Sequence, residues 1–179
     1  AWRYRDWVID AFNEDKPYNR FIAEQIAGDL LPVKSAKERN ANTIATGFLA
    51  IGPKSLAEKN RALFEKDLID EQVDVVTRGF LGLTVSCARC HEHKFDPVSM
   101  NDYYSMAGIF RSTQQCYGVG AAKVKHTTPL LPLVAETTPV SLLMNTQDEE
   151  SRTTSKGLPR RDKKKKGKKE KTEVQTLPV

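Results

Sequence analysis

The sequence predicts a mainly α protein, an irregular multi-helix domain followed by a partly extended, poorly ordered C-terminal segment. Two observations carry this expectation. Apolar residues recur at three- and four-residue steps up to Phe110, the period of helices that each bury one face. Proline, glycine and serine cut that pattern at points where helices start and stop, and beyond Gln115 the period disappears.

Tyr4, Trp7, Val8, Ala11 and Phe12 share one side of a short amphipathic helix over residues 4–12. Pro17 opens a second, in which Tyr18, Phe21, Ile22, Gln25, Ile26 and Leu30 form a face and Pro32 stops the segment after Leu31. Ser35 with Glu38 fits a capping box, where hydroxyl and carboxylate satisfy two orphan amides, and starts a third helix to about Leu49. Gly52-Pro53 ends it. The longest periodic stretch runs from about Leu56 to Val85, with Phe64, Leu68, Ile69, Val73, Val76, Phe80 and Leu83 as its stripe, and leads straight into Cys87. Opposite lie Asp67, Asp70, Glu71 and Asp74, read as a solvated helix face in preference to a metal or partner surface. Lys94-Phe95-Asp96-Pro97 breaks the helix, Ser99 with Asp102 forms a second capping box, and Tyr103, Met106, Ala107 and Phe110 give the next helix its buried side. Pro129, Pro132 and Pro139 then punctuate the short apolar runs Leu130-Leu131 and Leu133-Val134, which read as extended strand or loop. The chain divides into a helical domain at 1–135 and an irregular, Lys-rich linker or insertion at 136–179, truncated at its end where Val174 to Val179 regains apolar character.

The net charge of +5 invites a nucleic-acid reading until the charge is located. Residues 151–179 hold eleven basic and three acidic side chains, which leaves 17 basic and 20 acidic in residues 1–150. The basicity therefore belongs to one run, Arg160 to Lys171, which lacks aromatic residues to stack on bases and reads as a solvated linker. No nucleic-acid partner is expected. Mean hydropathy is −0.52, and there is neither an apolar signal segment nor a span of the roughly 20 apolar residues a bilayer requires. With Ala1 in place of an initiator Met, the chain reads as a piece of a longer polypeptide whose export signal lies upstream. Three cysteines exclude a disulfide-rich scaffold.

Chemistry concentrates in Cys87-Ala88-Arg89-Cys90-His91. Covalent haem attachment needs two thiols spaced for the two porphyrin vinyl groups and an imidazole for the iron, and Cys-x-x-Cys-His supplies all three. If the helix continues, Cys87, Cys90 and His91 stand at i, i+3 and i+4 on one face, with His91 as the proximal ligand and upstream apolar residues and Phe95 as a water-poor wall. No sixth ligand stands out. Met100, Met106 and His126 are available, but Met106 belongs to an apolar stripe, and His93 follows His91 too closely to reach the opposite face. Three other readings stay open. Zinc could take Cys87 and Cys90 with His91 or His93 and a distant Cys116 or His126, the set Cys87, Cys90, His93, Cys116 being one tetrahedron. The two cysteines could be a redox dithiol, although a long helix rather than a strand precedes them, or buried inert thiols. Hydrolysis by His91, His93, Asp96 and a metal lacks a nucleophile and an oxyanion site, so no enzyme is expected of this segment alone.

Four runs together resemble a known family: Tyr4 to Asn13, Gln25 to Pro32, Ala45 to Phe48, and Gly82 to Pro97. Over residues 2 to 135 they are similar to the second type of planctomycete cytochrome-c-like domain, a domain of unknown function in large exported bacterial proteins. The resemblance implies a module placed after a more conventional cytochrome-c-like domain and before another uncharacterised one. It implies haem c held by Cys87, Cys90 and His91, with His93, Asp96 and Pro97 in the adjoining signature without an assigned role. The expected function is a periplasmic or otherwise exported electron-transfer module whose partners are neighbouring domains of its own polypeptide or a redox protein. The alternative is a structural or binding module in which Cys87 and Cys90 hold zinc or serve structure.

Overall fold

In a computed structural model the described residues are 1–118, 126–128, 130–139 and 141–142, and the Lys-rich run from Arg160 to Lys171 lies outside them. Among them there are five α-helices and no strand: α1 (Trp2–Asn13), α2 (Tyr18–Ala27), α3 (Ala36–Ala45), α4 (Arg61–Val76) and α5 (Met100–Phe110). A 3-10 turn, Gly28–Leu30, follows α2; a 3-10 helix, Thr46–Ala50, follows α3; a π-helical turn, Thr77–Leu81, follows α4. A separate 3-10 helix spans Val85–Arg89.

Three of the helices start where a side chain satisfies their first free amides. Ser35 Oγ accepts from Glu38 N at 3.1 Å, while the Glu38 carboxylate reaches back to Lys34 N at 2.7 Å. The box at α5 is complete: Ser99 Oγ accepts from Asp102 N, and Asp102 Oδ2 accepts from Ser99 N at 2.8 Å. For α4 the cap is Asn60, whose Oδ1 accepts from Ala62 N and Leu63 N at 3.1 and 3.2 Å. Asn60 therefore corrects the expected start near Leu56, a cap being worth about 1 kcal/mol.

The far end of α4 is corrected too. Its ladder widens at Thr77, Gly82 turns left-handed at φ 67°, and Leu83 N returns to Thr77 O at 3.1 Å. A left-handed glycine ends a helix because it carries no Cβ to clash there. The periodic stretch therefore stops before Val85, and the cysteines sit on a new, tighter turn.

The main core is built from α4, α5 and the two 3-10 helices: Leu49, Val73, Val76, Val85, Ala88, Tyr103, Ala107 and Phe110. Each large apolar side chain removed from water here contributes about 1.5–3 kcal/mol. Against it lie α1, α2 and α3, joined by ring contacts: Trp7 stacked on Phe21 at 5.3 Å and Phe48 tilted against Phe80 at 5.1 Å. The face assigned to α2 differs from expectation. Tyr18 and Leu30 are exposed, Gln25 is buried as expected of that face, and Glu24, which lies off it, is buried too. Partners explain the burial of both, since buried polar groups persist only when paired. Lys16 and Arg20 both bind the Glu24 carboxylate, Tyr4 donates its hydroxyl to Gln25 Oε1, and Gln25 donates to Phe21 O.

The apolar runs after Gln115 are loop where they are described. They fold back on the helices. His126 lies flat on Phe64 with centroids 3.8 Å apart, and Asn40 on α3 holds the Val134 backbone at both its N–H and its carbonyl, each at 2.9 Å.

Candidate functional site

A tight loop between α4 and α5 carries the cysteine motif, and its unassigned letters fix it in place. Val85 and Ala88 are buried in the main core, Ala88 completely. Arg89 reaches back to α4, Nη1 to Asp70 Oδ2 at 3.1 Å and Nη2 to Asp67 Oδ1 at 3.0 Å. From α5, Tyr103 donates its hydroxyl to Asp70 Oδ1 at 2.7 Å and Tyr104 donates to Arg89 O at 3.1 Å. Burial, then the bond to Asp70, pushes the Tyr103 phenol well up, so it stays a donor. The acidic stripe is therefore not simply a solvated face, because Asp67 and Asp70 are the seat of the motif. Farther along, Asp74 pairs with Arg78 at 2.8 Å and Glu71 faces Lys54 at 3.9 Å, where burial raises the carboxyl and lowers the ammonium.

Arg89, Asp67, Asp70, Tyr103 and Tyr104 were not visible as site residues in the sequence. The available signal was a cation inside the motif and two carboxylates three apart on the preceding helix.

Cys87 and Cys90 are free and exposed. The α-helical i, i+3, i+4 arrangement is replaced by a 3-10 helix that holds Cys87 and has Cys90 at its C-terminal cap. The expectation of buried inert thiols is thereby corrected. His91 is exposed and donates Nδ1–H to Glu92 O at 2.7 Å, an acceptor that fixes the tautomer and leaves the Nε2 lone pair outward. His93 is used differently. Its side chain is 6% exposed, and Nδ1 accepts from Phe95 N at 3.2 Å and Asp96 N at 2.8 Å. The proton must then sit on Nε2, which donates to Thr84 Oγ1 at 2.8 Å and staples the loop shut.

The structure does not bring together Cys87, Cys90, His93 and Cys116. Among the described residues no three His, Cys, Asp or Glu side chains are grouped so as to hold a metal ion. Met106 packs against the main core, and His126 Nε2 donates to Glu58 O at 2.9 Å. The wall expected around the motif is also absent where it was placed: Val85 faces the core, while Leu81 and Phe95 are 60% and 83% exposed. Cys116 lines a separate cleft of about 970 Å³ that none of Cys87, Cys90 and His91 borders.

These features define a small helical domain that displays a Cys-x-x-Cys-His loop on its surface, braced by two helices. The chain belongs to the PSCyt2 family, described as a protein of unknown function (DUF1549), whose profile matches residues 1–115. No curated protein matches it, and no solved structure does. No helix among the described residues is long and apolar enough to cross a membrane.

Proposed function

We propose that Cys87, Cys90 and His91 form a covalent haem-attachment site, and that the domain is a c-type electron-transfer module of a larger exported protein. One observation carries the reading. The His91 Nδ1–H bond to Glu92 O turns a lone-pair nitrogen to solvent in the same short loop as two free, exposed thiols, Cys87 in a 3-10 helix and Cys90 at its cap. An imidazole ligand usually donates its second nitrogen to a carbonyl in this way, which orients the ring and raises its basicity. The residues fit the group: the two thiols would hold the porphyrin and His91 Nε2 would ligate iron. Bound haem supplies one-electron chemistry.

Exposure of all three residues has a further implication for this reading. The domain supplies attachment but little covering wall, so a neighbouring domain of the polypeptide or a redox partner would complete the enclosure. Export to the periplasm, where thioether attachment takes place, belongs to the same proposal. The zinc alternative gains no specific support, because His93 has spent both nitrogens inside the loop.

The experiment is co-expression with a haem-maturation system. Expected is a covalent mass increment of one haem and a c-type pyridine spectrum, both lost in the double variant Cys87→Ser, Cys90→Ser. An unmodified mass in cells that mature a control cytochrome overturns the proposal.

A further inference from the structure

The segment that joins the 3-10 helix Thr46–Ala50 to α4 carries a second pair of reactive groups. Lys54 turns its side chain inward, where it is 6% exposed and faces the Glu71 carboxylate of α4, itself 18% exposed. Lys54 Nζ donates to Ala50 O at 2.7 Å and to Gly52 O at 2.9 Å, and the Tyr117 ring lies 5.6 Å from it. Gly52 is what lets the carboxyl in, since a Cβ there would collide with Glu71 Oε1.

Two features set this pair apart from an ordinary ion pair. A lysine and a carboxylate that bond as ions close to about 2.7–2.9 Å. Here Nζ and Oε2 stand 3.9 Å apart, and Oε2 is buried without a hydrogen-bond partner among the described residues. The protons that Lys54 donates go instead to two backbone carbonyls, which is the full number a neutral amine has to give and leaves its lone pair unspent. Burial disfavours both charges: it lowers the Lys54 ammonium and raises the Glu71 carboxyl, and outweighs their mutual attraction.

We propose that Lys54 Nζ and Glu71 Cδ join in an intramolecular amide, a modification made by the folded chain on itself. The amine lone pair adds to the carboxyl carbon of the protonated acid, the bond from that carbon to the hydroxyl breaks, and one N–H proton leaves with the hydroxyl as water. Nothing is oxidised or reduced, and no co-reactant is consumed. Holding the two groups near the roughly 3–3.5 Å at which reacting atoms sit replaces a chance encounter in solution. The same burial keeps out the water that would reverse the step. The bond closes residues 54–71 into a ring and restrains the unfolded chain as a disulfide does, in a protein whose described cysteines are all free. It does not rest on the haem reading and is tested on haem-free protein.

The folded 179-residue chain is held at neutral pH, then denatured and weighed by mass spectrometry. Expected is the mass of the sequence less one water and, after trypsin, a branched peptide joining residues 40–59, uncut at Lys54, to residues 67–78. Lys54→Arg keeps a cation but removes the primary amine, and should show its full sequence mass. Gly52→Ala keeps both reacting groups but displaces the carboxyl, and should slow formation of the branched peptide by about 100-fold. A native chain at full sequence mass overturns the proposal whatever the variants do. So does a missing water mapped to a succinimide at an aspartate, a deficit that survives in Lys54→Arg, or an undiminished rate in Gly52→Ala.

Discussion

Arg89 occupies a position that a Cys-x-x-Cys-His pattern leaves blank, yet it does more than any other side chain to fix where the two thiols stand. Its planar fork meets two carboxylates at once, which a lysine point charge cannot reproduce. Arg89→Ala should lower unfolding free energy by about 1–2 kcal/mol, the guanidinium being only partly screened by solvent. Arg89→Lys should recover part of that. Urea denaturation gives the first number, and faster hydrogen exchange at Cys87 N, which donates to Thr84 O, reports release of the loop. An unchanged urea midpoint and exchange rate in Arg89→Ala would remove the latch from the account. The two histidines carry the lesson about legibility at this scale. His91 and His93 are equivalent as letters, and it is the backbone amides of Phe95 and Asp96 with the Thr84 hydroxyl that separate a buried staple from an outward imidazole.

At the scale of elements, the helices were legible because their caps are local chemistry. Ser35 and Ser99 announce α3 and α5. The start of α4 was misplaced because Leu56 continues an apolar period that Asn60 interrupts, and a cap outweighs one apolar match. What periodicity could not separate is α from 3-10 or π, since a turn of each presents similar residues over so short a length. Two glycines test the packing. A Cβ at Gly28 would lie 2.5 Å from the Asn42 backbone oxygen, where α2's end crosses α3, whereas one on the exposed Gly108 in α5 meets nothing within 4 Å. Gly28→Ala should therefore destabilise by about 1–3 kcal/mol through overpacking. Gly108→Ala should stabilise by about 0.5–1 kcal/mol by restricting the unfolded chain and improving helix propensity. Thermal midpoints moving in opposite directions check both, and a shift of the same sign would refute the packing described at Gly28.

For the whole molecule, α4 is the shared wall: it supplies the main core, the seat of the motif and one side of the cleft. The mainly helical class was evident from the apolar period, but the burial of Glu24 was not, because it depends on Lys16 reaching over from before α2 to join Arg20 on its carboxylate. Nor was the return of the later segment onto α3 foreseeable, because nothing in the sequence of Leu133-Val134 names Asn40 as its partner. Asn40→Ala removes both bonds to Val134 and leaves two backbone groups unmet. It should speed hydrogen exchange at Val134 by about tenfold or more while amides of α4 keep their protection. Equal acceleration at both places would mean that this segment unfolds only with the core.

The family profile closes at Gln115, but the fold does not. Val134 rests on Val33 and Ala36, and His126 shields one side of the Phe64 ring. Anyone trimming the polypeptide at the profile's edge would strip these surfaces bare and invite clumping of the product. A cut placed after Pro139 keeps them clothed.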